Sequence, residues 1–171
     1  INTAEVVAIS DTNENSINDA KNLLTNDIKV YSDNNEIFKN NEVDAFIIST
    51  PNFTHYDIIK EALKTEKHLL IEKPLCTKLE DCIEIKKLSA SYPSVIWVAM
   101  EYRYMPPVQK MIQEIDSNKI GKLKMLSIRE HRFPFLKKVD DWNRFKINTG
   151  GTLVEKCCHF FDLMTVSYTH L

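Results

Sequence analysis

Hydrophobic positions along this chain fall into short apolar bursts separated by stretches with helical spacing. Residues 5–9 read as a buried strand ending at Ser10-Asp11. In 15–24 the apolar residues Ile17, Ala20, Leu23 and Leu24 repeat at three and four, which predicts a helix. A short strand follows at 28–31, and Asp33 is placed to cap a helical turn over 34–39. Residues 43–49 form the next strand, with Ile47 and Ile48 adjacent and so expected to be buried on both faces; Pro51 ends it. A helix over 54–65 turns Ile58, Ile59, Ala62 and Leu63 inward, and Thr54 is its expected N-cap. The strand 68–71 stops before Pro74, the helix 79–89 carries Cys82, Ile83, Ile85 and Leu88, and 95–100 is the next strand.

Strands alternating with helices at this spacing predict an α/β fold with a doubly wound parallel sheet. Continuously apolar strands fit a sheet covered on both faces. After Met100 the pattern changes. Pro106-Pro107 precede a helix over 108–116, a longer strand is expected at 122–130, and a last helix starts near Gly151. The sheet unit is placed at 1–100 and the start of an α+β unit at 101–165. Residues 166–171 are expected to break the helical pattern, and in frame they spell a common transposase sequencing adapter. They are therefore read as foreign to the natural protein.

Composition adds mainly exclusions. With 43% hydrophobic and 27% charged residues the chain has ordinary globular values. A net charge of −2 gives no electrostatic reason to expect nucleic acid or an anionic membrane as partner. No apolar run approaches the roughly 18 residues of a membrane span. Cys76, Cys82, Cys157 and Cys158 do not form a secreted disulfide framework, so a reducing cytoplasm is expected. Neighbouring cysteines on a helix point about 100° apart, so Cys157-Cys158-His159 is not expected to hold a metal.

Chemistry-bearing residues sit where strands end. Asp11 closes the first strand, where a dinucleotide-binding fold places the carboxylate that bonds the adenosine ribose. That carboxylate would repel a 2′-phosphate, favouring NAD over NADP. The Gly-rich turn that goes with it belongs about 20 residues upstream, before Ile1. Without the strand that precedes that turn, its two neighbours would expose unpaired edges, which predicts poor folding and no measurable NAD binding for the chain alone. Ser49, Thr50, Pro51 and Asn52 follow the strand 43–49, at the edge where open α/β sheets bind ligands. Glu72-Lys73-Pro74 follows 68–71, and from there a lysine can reach a substrate oxygen and stabilise developing negative charge. Glu155 and His159 lie four apart on the last expected helix, so that the carboxylate can orient an imidazole acting as base. Asp162 can support them, and Gly150-Gly151 allow close backbone approach.

The stretch from Val43 to Asn52 with His55 after it, and Lys67 to Leu75 containing Glu72-Lys73-Pro74, resemble the glucose–fructose oxidoreductase / inositol dehydrogenase (Gfo/Idh/MocA) family. So do Tyr102-Arg103-Tyr104 with Pro106, and the stretch from Gly150 to Asp162. The resemblance implies a Rossmann-type sheet lacking its first strand over 1–100. It implies an oxidoreductase that moves a hydride between nicotinamide and a carbinol carbon of a sugar, cyclitol or polyol. Lys73 then resembles the catalytic lysine and His159 the proton-accepting histidine. Glu155 stands where the family often has aspartate, and Cys157 where it usually has glycine. Thr50, Pro51, Asn52 and His55 would line the nicotinamide side, with Glu72 close by. Arg103, Trp142, Asn143 and Arg144 are assigned to the substrate side. The family often assembles as homo-oligomers. The alternative is a non-catalytic NAD- or sugar-sensing protein on the same fold; the pair Lys73 and His159 favours the enzyme.

Overall fold

The computed structural model describes residues 4–24, 27–131, 133–134 and 136–168. The predicted alternation is present over the first hundred residues. It runs β1 (Ala8–Ser10), α1 (Glu14–Leu23), β2 (Lys29–Tyr31), α2 (Asn34–Ile37) and β3 (Ala45–Ile48). It continues with α3 (His55–Ala62), β4 (His68–Ile71), α4 (Leu79–Leu88) and β5 (Ile96–Val98). Local chemistry sets the ends. Asn13 caps α1 by accepting from the Ser16 N–H, and Asp33 caps α2 by accepting from the Asn35 N–H. Thr54 does not cap α3. A 3-10 turn at Asn52–Thr54 leads into that helix, and the Thr54 hydroxyl bonds Thr50 Oγ1 and the Pro51 carbonyl, both at 2.8 Å.

All strand pairs are parallel, and they form two separate sheets: β1 with β2, and β3–β4–β5. In a Rossmann order a further strand stands between β1 and β3. The sheets part at that place. In the three-stranded sheet Phe46 and Ile48 of β3, and Leu69 and Ile71 of β4, point to one face and are buried. There they meet Ile59 and Ala62 of α3, Ile85 of α4, Val43 and Cys76 in a single core. Phe38 packs edge-on against Phe46, ring centres 5.0 Å apart. Tyr56, Lys60 and Glu84 stitch α3 to α4: the Tyr56 hydroxyl donates to Glu84 at 2.7 Å, and Lys60 Nζ donates to Tyr56 at 3.1 Å.

The other face departs from expectation. Ile47 is 71% exposed, and its register neighbour two strands away, Trp97, is 48% exposed. Helices α3 and α4 cover one face only; on the row formed by Ile47, Leu70 and Trp97, Tyr104 packs edge-on against Trp97 with ring centres 5.4 Å apart, and Ile47 stays open.

Beyond β5 the chain makes a 3-10 turn at Glu101–Tyr104, then α5 (Pro106–Asp116), α6 (Lys146–Thr149), α7 (Thr152–Glu155) and α8 (Cys158–Tyr168). The strand expected at 122–130 does not form. A strand needs a partner for its backbone N–H and C=O groups, and no described strand lies beside this stretch. The last helix also differs. It breaks at Lys156-Cys157, where the Cys157 N–H reaches back five residues to the Thr152 carbonyl at 3.2 Å. The expected break after Thr165 is not seen: α8 continues through Val166 and Ser167 to Tyr168, while Thr169, His170 and Leu171 lie outside the described residues.

Candidate active site

Parallel strands end on one edge, so the loops after β3 and β4 lie side by side. His55 locks them together. It is fully buried, with Nδ1 2.9 Å from the Pro74 carbonyl and Nε2 2.9 Å from the Thr50 carbonyl. Its ring is therefore a staple between the two loops. The loop after β4 begins with Glu72, whose N–H still donates to the Ile48 carbonyl at 2.8 Å. A cis peptide joins Lys73 to Pro74. Glu72 is exposed and Lys73 half-buried above the strand end.

Lys73 reaches the far part of the chain. Its Nζ donates to the Glu155 carbonyl at 3.2 Å, across 82 residues. Gly150 makes the approach possible. It adopts φ +75°, and a Cβ there would stand 2.7 Å from the Thr77 carbonyl. Phe53, in the loop after β3, packs on Trp142 with ring centres 6.4 Å apart. The turn 139–144 is thereby joined to the sheet edge, and Trp142 serves that packing.

His159 is buried beside this contact. Burial pushes the neighbouring Cys158 thiol upward, opposed by the Lys73 ammonium and assisted by the Glu101 carboxylate. Lys73, Glu101 and residues 155–159 thus form one cluster. Glu155 is also buried, but its carboxylate lies 3.7 Å from Lys156 Nζ. The carboxylate placed against His159 belongs to Glu101, Oε1 to Nε2 3.4 Å. Tyr102 stacks on the imidazole with ring centres 4.1 Å apart and planes 7° apart. Arg103 grips Asp162 in a bidentate pair, Nε donating to Oδ2 and Nη2 to Oδ1. Sequence reasoning missed Glu101 and Tyr102 because they lie some sixty residues from His159; the available signal was their place directly after a strand of the same sheet.

The remaining substrate-side candidates separate. Asn143 is buried and, with His131, Phe133, Glu155 and Lys156, lines a cavity of about 480 Å³. Its Nδ2 donates to the Leu136 carbonyl at 3.2 Å, while Oδ1 is buried without a hydrogen-bond partner among the described residues. Arg144 is exposed and does not line the cavity. Asp11 is exposed at the end of β1, its Oδ1 accepting from the Asn13 N–H at 2.8 Å. Among the described residues no cluster of three or more His, Cys, Asp or Glu is arranged to hold a metal.

Residues 1–100 match the oxidoreductase family with an NAD-binding Rossmann fold, and 112–166 match that family's C-terminal alpha/beta domain. The chain belongs to this family. Among the relatives of this chain is an uncharacterized oxidoreductase of Synechocystis, 30% identical over 144 residues. That alignment takes in 82% of the chain and 38% of the relative. The myo-inositol 2-dehydrogenase of Thermotoga maritima is 27% identical over 95% of the chain and 47% of its own length. Among solved structures, a myo-inositol dehydrogenase of Lactobacillus casei in complex with NAD(H) and myo-inositol is 28% identical. It superposes with a TM-score of 0.66 over 69% of the chain and 35% of its own. A putative myo-inositol dehydrogenase of Sinorhizobium meliloti has a TM-score of 0.81 over 99% of the chain and 49% of its own, at 22% identity. The chain thus spans less than half the length of each of these relatives.

The family's cofactor fits the strand ends. Asn52, at the carboxyl end of β3, is buried, and its Nδ2 has no hydrogen-bond partner among the described residues. A buried donor without a partner is costly in itself. It is satisfied if a polar ligand occupies the crevice. Thr50 and Pro51 are half-buried and Ser49 is exposed around it.

Proposed function

We propose that the chain supplies the cofactor site, and the lysine–histidine pair, of a dehydrogenase acting on a hydroxyl-bearing carbon of a sugar, cyclitol or polyol. The observation that carries this reading is the meeting of the Lys73 loop with the helix turn leading to His159: Nζ to the Glu155 carbonyl, 3.2 Å. Ser49, Thr50, Pro51, Asn52, Glu72 and Lys73 hold the cofactor's nicotinamide end, and Asp11 the adenosine ribose. NAD held there would supply the acceptor, or the donor, for the hydride exchanged with the carbinol carbon. Lys73 donates a hydrogen bond to the reacting oxygen and stabilises its developing charge. His159 takes the hydroxyl proton, and the Glu101 carboxylate favours the imidazolium so formed. Glu155 and Asn143 line the same cavity and suit further hydroxyl groups of a polyol.

Asp11 disfavours a 2′-phosphate by charge, so NAD is preferred over NADP. Every described cysteine is a free thiol, and no described helix is long and apolar enough to cross a membrane. A cytoplasmic setting and a homo-oligomeric assembly complete the proposal.

Growth of reduced-nicotinamide absorbance, with the full-length natural protein and a polyol panel, tests it. Lys73→Ala and His159→Ala are each expected to lower kcat/KM by at least about 10²-fold, the usual weight of positioned acid–base groups. Asp11→Ala should raise activity with NADP relative to NAD. Cofactor binding without turnover on any polyol would favour a sensing role and refute the enzyme.

A further inference from the structure

We infer that Tyr102 is a positioning residue for His159, and that Glu101, Tyr102 and Arg103 together form a three-residue clamp on the histidine and its helix. The inference rests on the dehydrogenase reading for its chemistry, but its geometry stands apart from it.

Three consecutive side chains converge on one helix. Glu101 Oε1 lies 3.4 Å from His159 Nε2, the Tyr102 ring stacks on the imidazole with planes 7° apart, and Arg103 holds Asp162 in a two-armed ion pair. Asp162 is three residues beyond His159, close to one helical turn, so both grips act on the same face of α8. The Tyr102 hydroxyl donates to Glu130 Oε1 at 2.7 Å, which fixes the far end of the ring. Arg103, assigned by resemblance to the substrate, acts instead through Asp162.

The clamp grows directly from the sheet. The Ala99 N–H donates to the Ile71 carbonyl at 2.8 Å, so the segment entering the clamp is bonded to β4, the strand that carries Lys73. The spacing between Lys73 and His159 is therefore set by one rigid element. Such a device is needed here. The chain breaks between α7 and α8, so the backbone at Glu155 does not by itself fix the direction of His159. A stacked ring limits imidazole rotation, which a single hydrogen bond would leave free. Proton transfer demands that geometry, because small misplacements of a catalytic group cost rate steeply.

Proton–carbon NMR of the histidine rings tests the inference, with the His159 signal identified by its loss in His159→Gln. Stacking under a tyrosine places the imidazole protons in the shielding region of the ring current. The His159 ring signal is expected upfield of an exposed histidine, retained in Tyr102→Phe and returned downfield in Tyr102→Leu. In turnover, Tyr102→Leu should lower kcat on the order of 10²-fold with a smaller change in KM, and Tyr102→Phe should recover most of it. An unshifted His159 signal overturns the inference, as does equal behaviour of the Leu and Phe variants. If no polyol gives reduced nicotinamide, the dehydrogenase reading fails, while the ring-current comparison still decides whether Tyr102 holds His159.

Discussion

The two faces of the β3–β4–β5 sheet carry similar side chains and have opposite fates. On one face Phe46, Ile48, Leu69 and Ile71 lie under α3 and α4, and Ile71 is 0% exposed. On the other, Ile47 and Trp97 stand largely in solvent. The strands are apolar at nearly every position, as strands covered on both sides are. The exposed row therefore shows which part of the fold these residues close and which they leave open. The loops after β3 and β4 are tied together from the closed side. His55 staples them from beneath, and Gly150 brings α7 against the turn at Thr77.

The comparison breaks first at Ile71. If the closed face carries the fold, Ile71→Ala should cost about 2–5 kcal/mol, the range for emptying a packed aliphatic site. Urea unfolding of the chain measures it, and a cost below about 1 kcal/mol would mean that this face is as loose as the other. A smaller loss is expected of His55→Ala. It removes the ring that lies 2.9 Å from the carbonyl oxygens of Thr50 and Pro74, at about 1–3 kcal/mol for a buried acceptor left unsatisfied. The same variant should weaken NAD binding, since the two loops it ties carry Asn52 and Lys73. Unchanged affinity would show that the loops hold themselves.

Legibility in the sequence followed the same division. Every strand of the first hundred residues was foreseeable because a buried strand is read locally, from apolar runs bounded by turn residues. The Glu72-Lys73-Pro74 loop and the glycine approach at Gly150 were legible for a similar reason: few residue types suit those positions. Three things were not. The expected burial of Ile47 assumed a cover that composition cannot locate. A strand at 122–130 was read from its own residues, whereas its existence depends on a partner elsewhere. Glu101 and Tyr102 acquire their role only when β5 delivers them to α8, a long-range contact that no local pattern records. The expected pairing of Glu155 with His159 presumed an unbroken helix, and the wide turn at Cys157 undoes it.

A subtler probe of the closed face is the thiol pair beneath its rim. Cys76 belongs to the buried core, and Cys82 packs against it from the start of α4. The Cys76 thiol donates a hydrogen bond to the Cys82 sulfur, which brings Cys82 down to about 7 and pushes Cys76 up. A depressed value means that thiolate prevails above that pH and is lost below it. Alkylation of Cys82 by iodoacetamide should thus rise to half its plateau near pH 7, where an ordinary thiol does so near about 8.5. Cys76→Ala removes the donor and should move the midpoint upward. A Cys82 midpoint unaffected by that change would mean that the two sulfurs do not meet and that the core ends short of α4.

The smallest expected effect is the sharpest test of the contrast. Ile47→Thr keeps a β-branched side chain on the exposed face, where it loses no packed contact. Surface changes of this kind fall within about 0.5 kcal/mol. Ile71→Thr, one register row away and facing inward, trades a buried ethyl group for a hydroxyl, so lost packing and the burial of a polar group add. The ratio of the two costs measures how unequal the faces are. If Ile47→Thr costs as much as a core change, something covers that row in solution. Sedimentation would then tell a second copy of the chain from a cover supplied by its own residues. A dimer that dissociates on Ile47→Thr would place the cover in another protomer. A monomer unchanged in size but destabilised would place it within the chain.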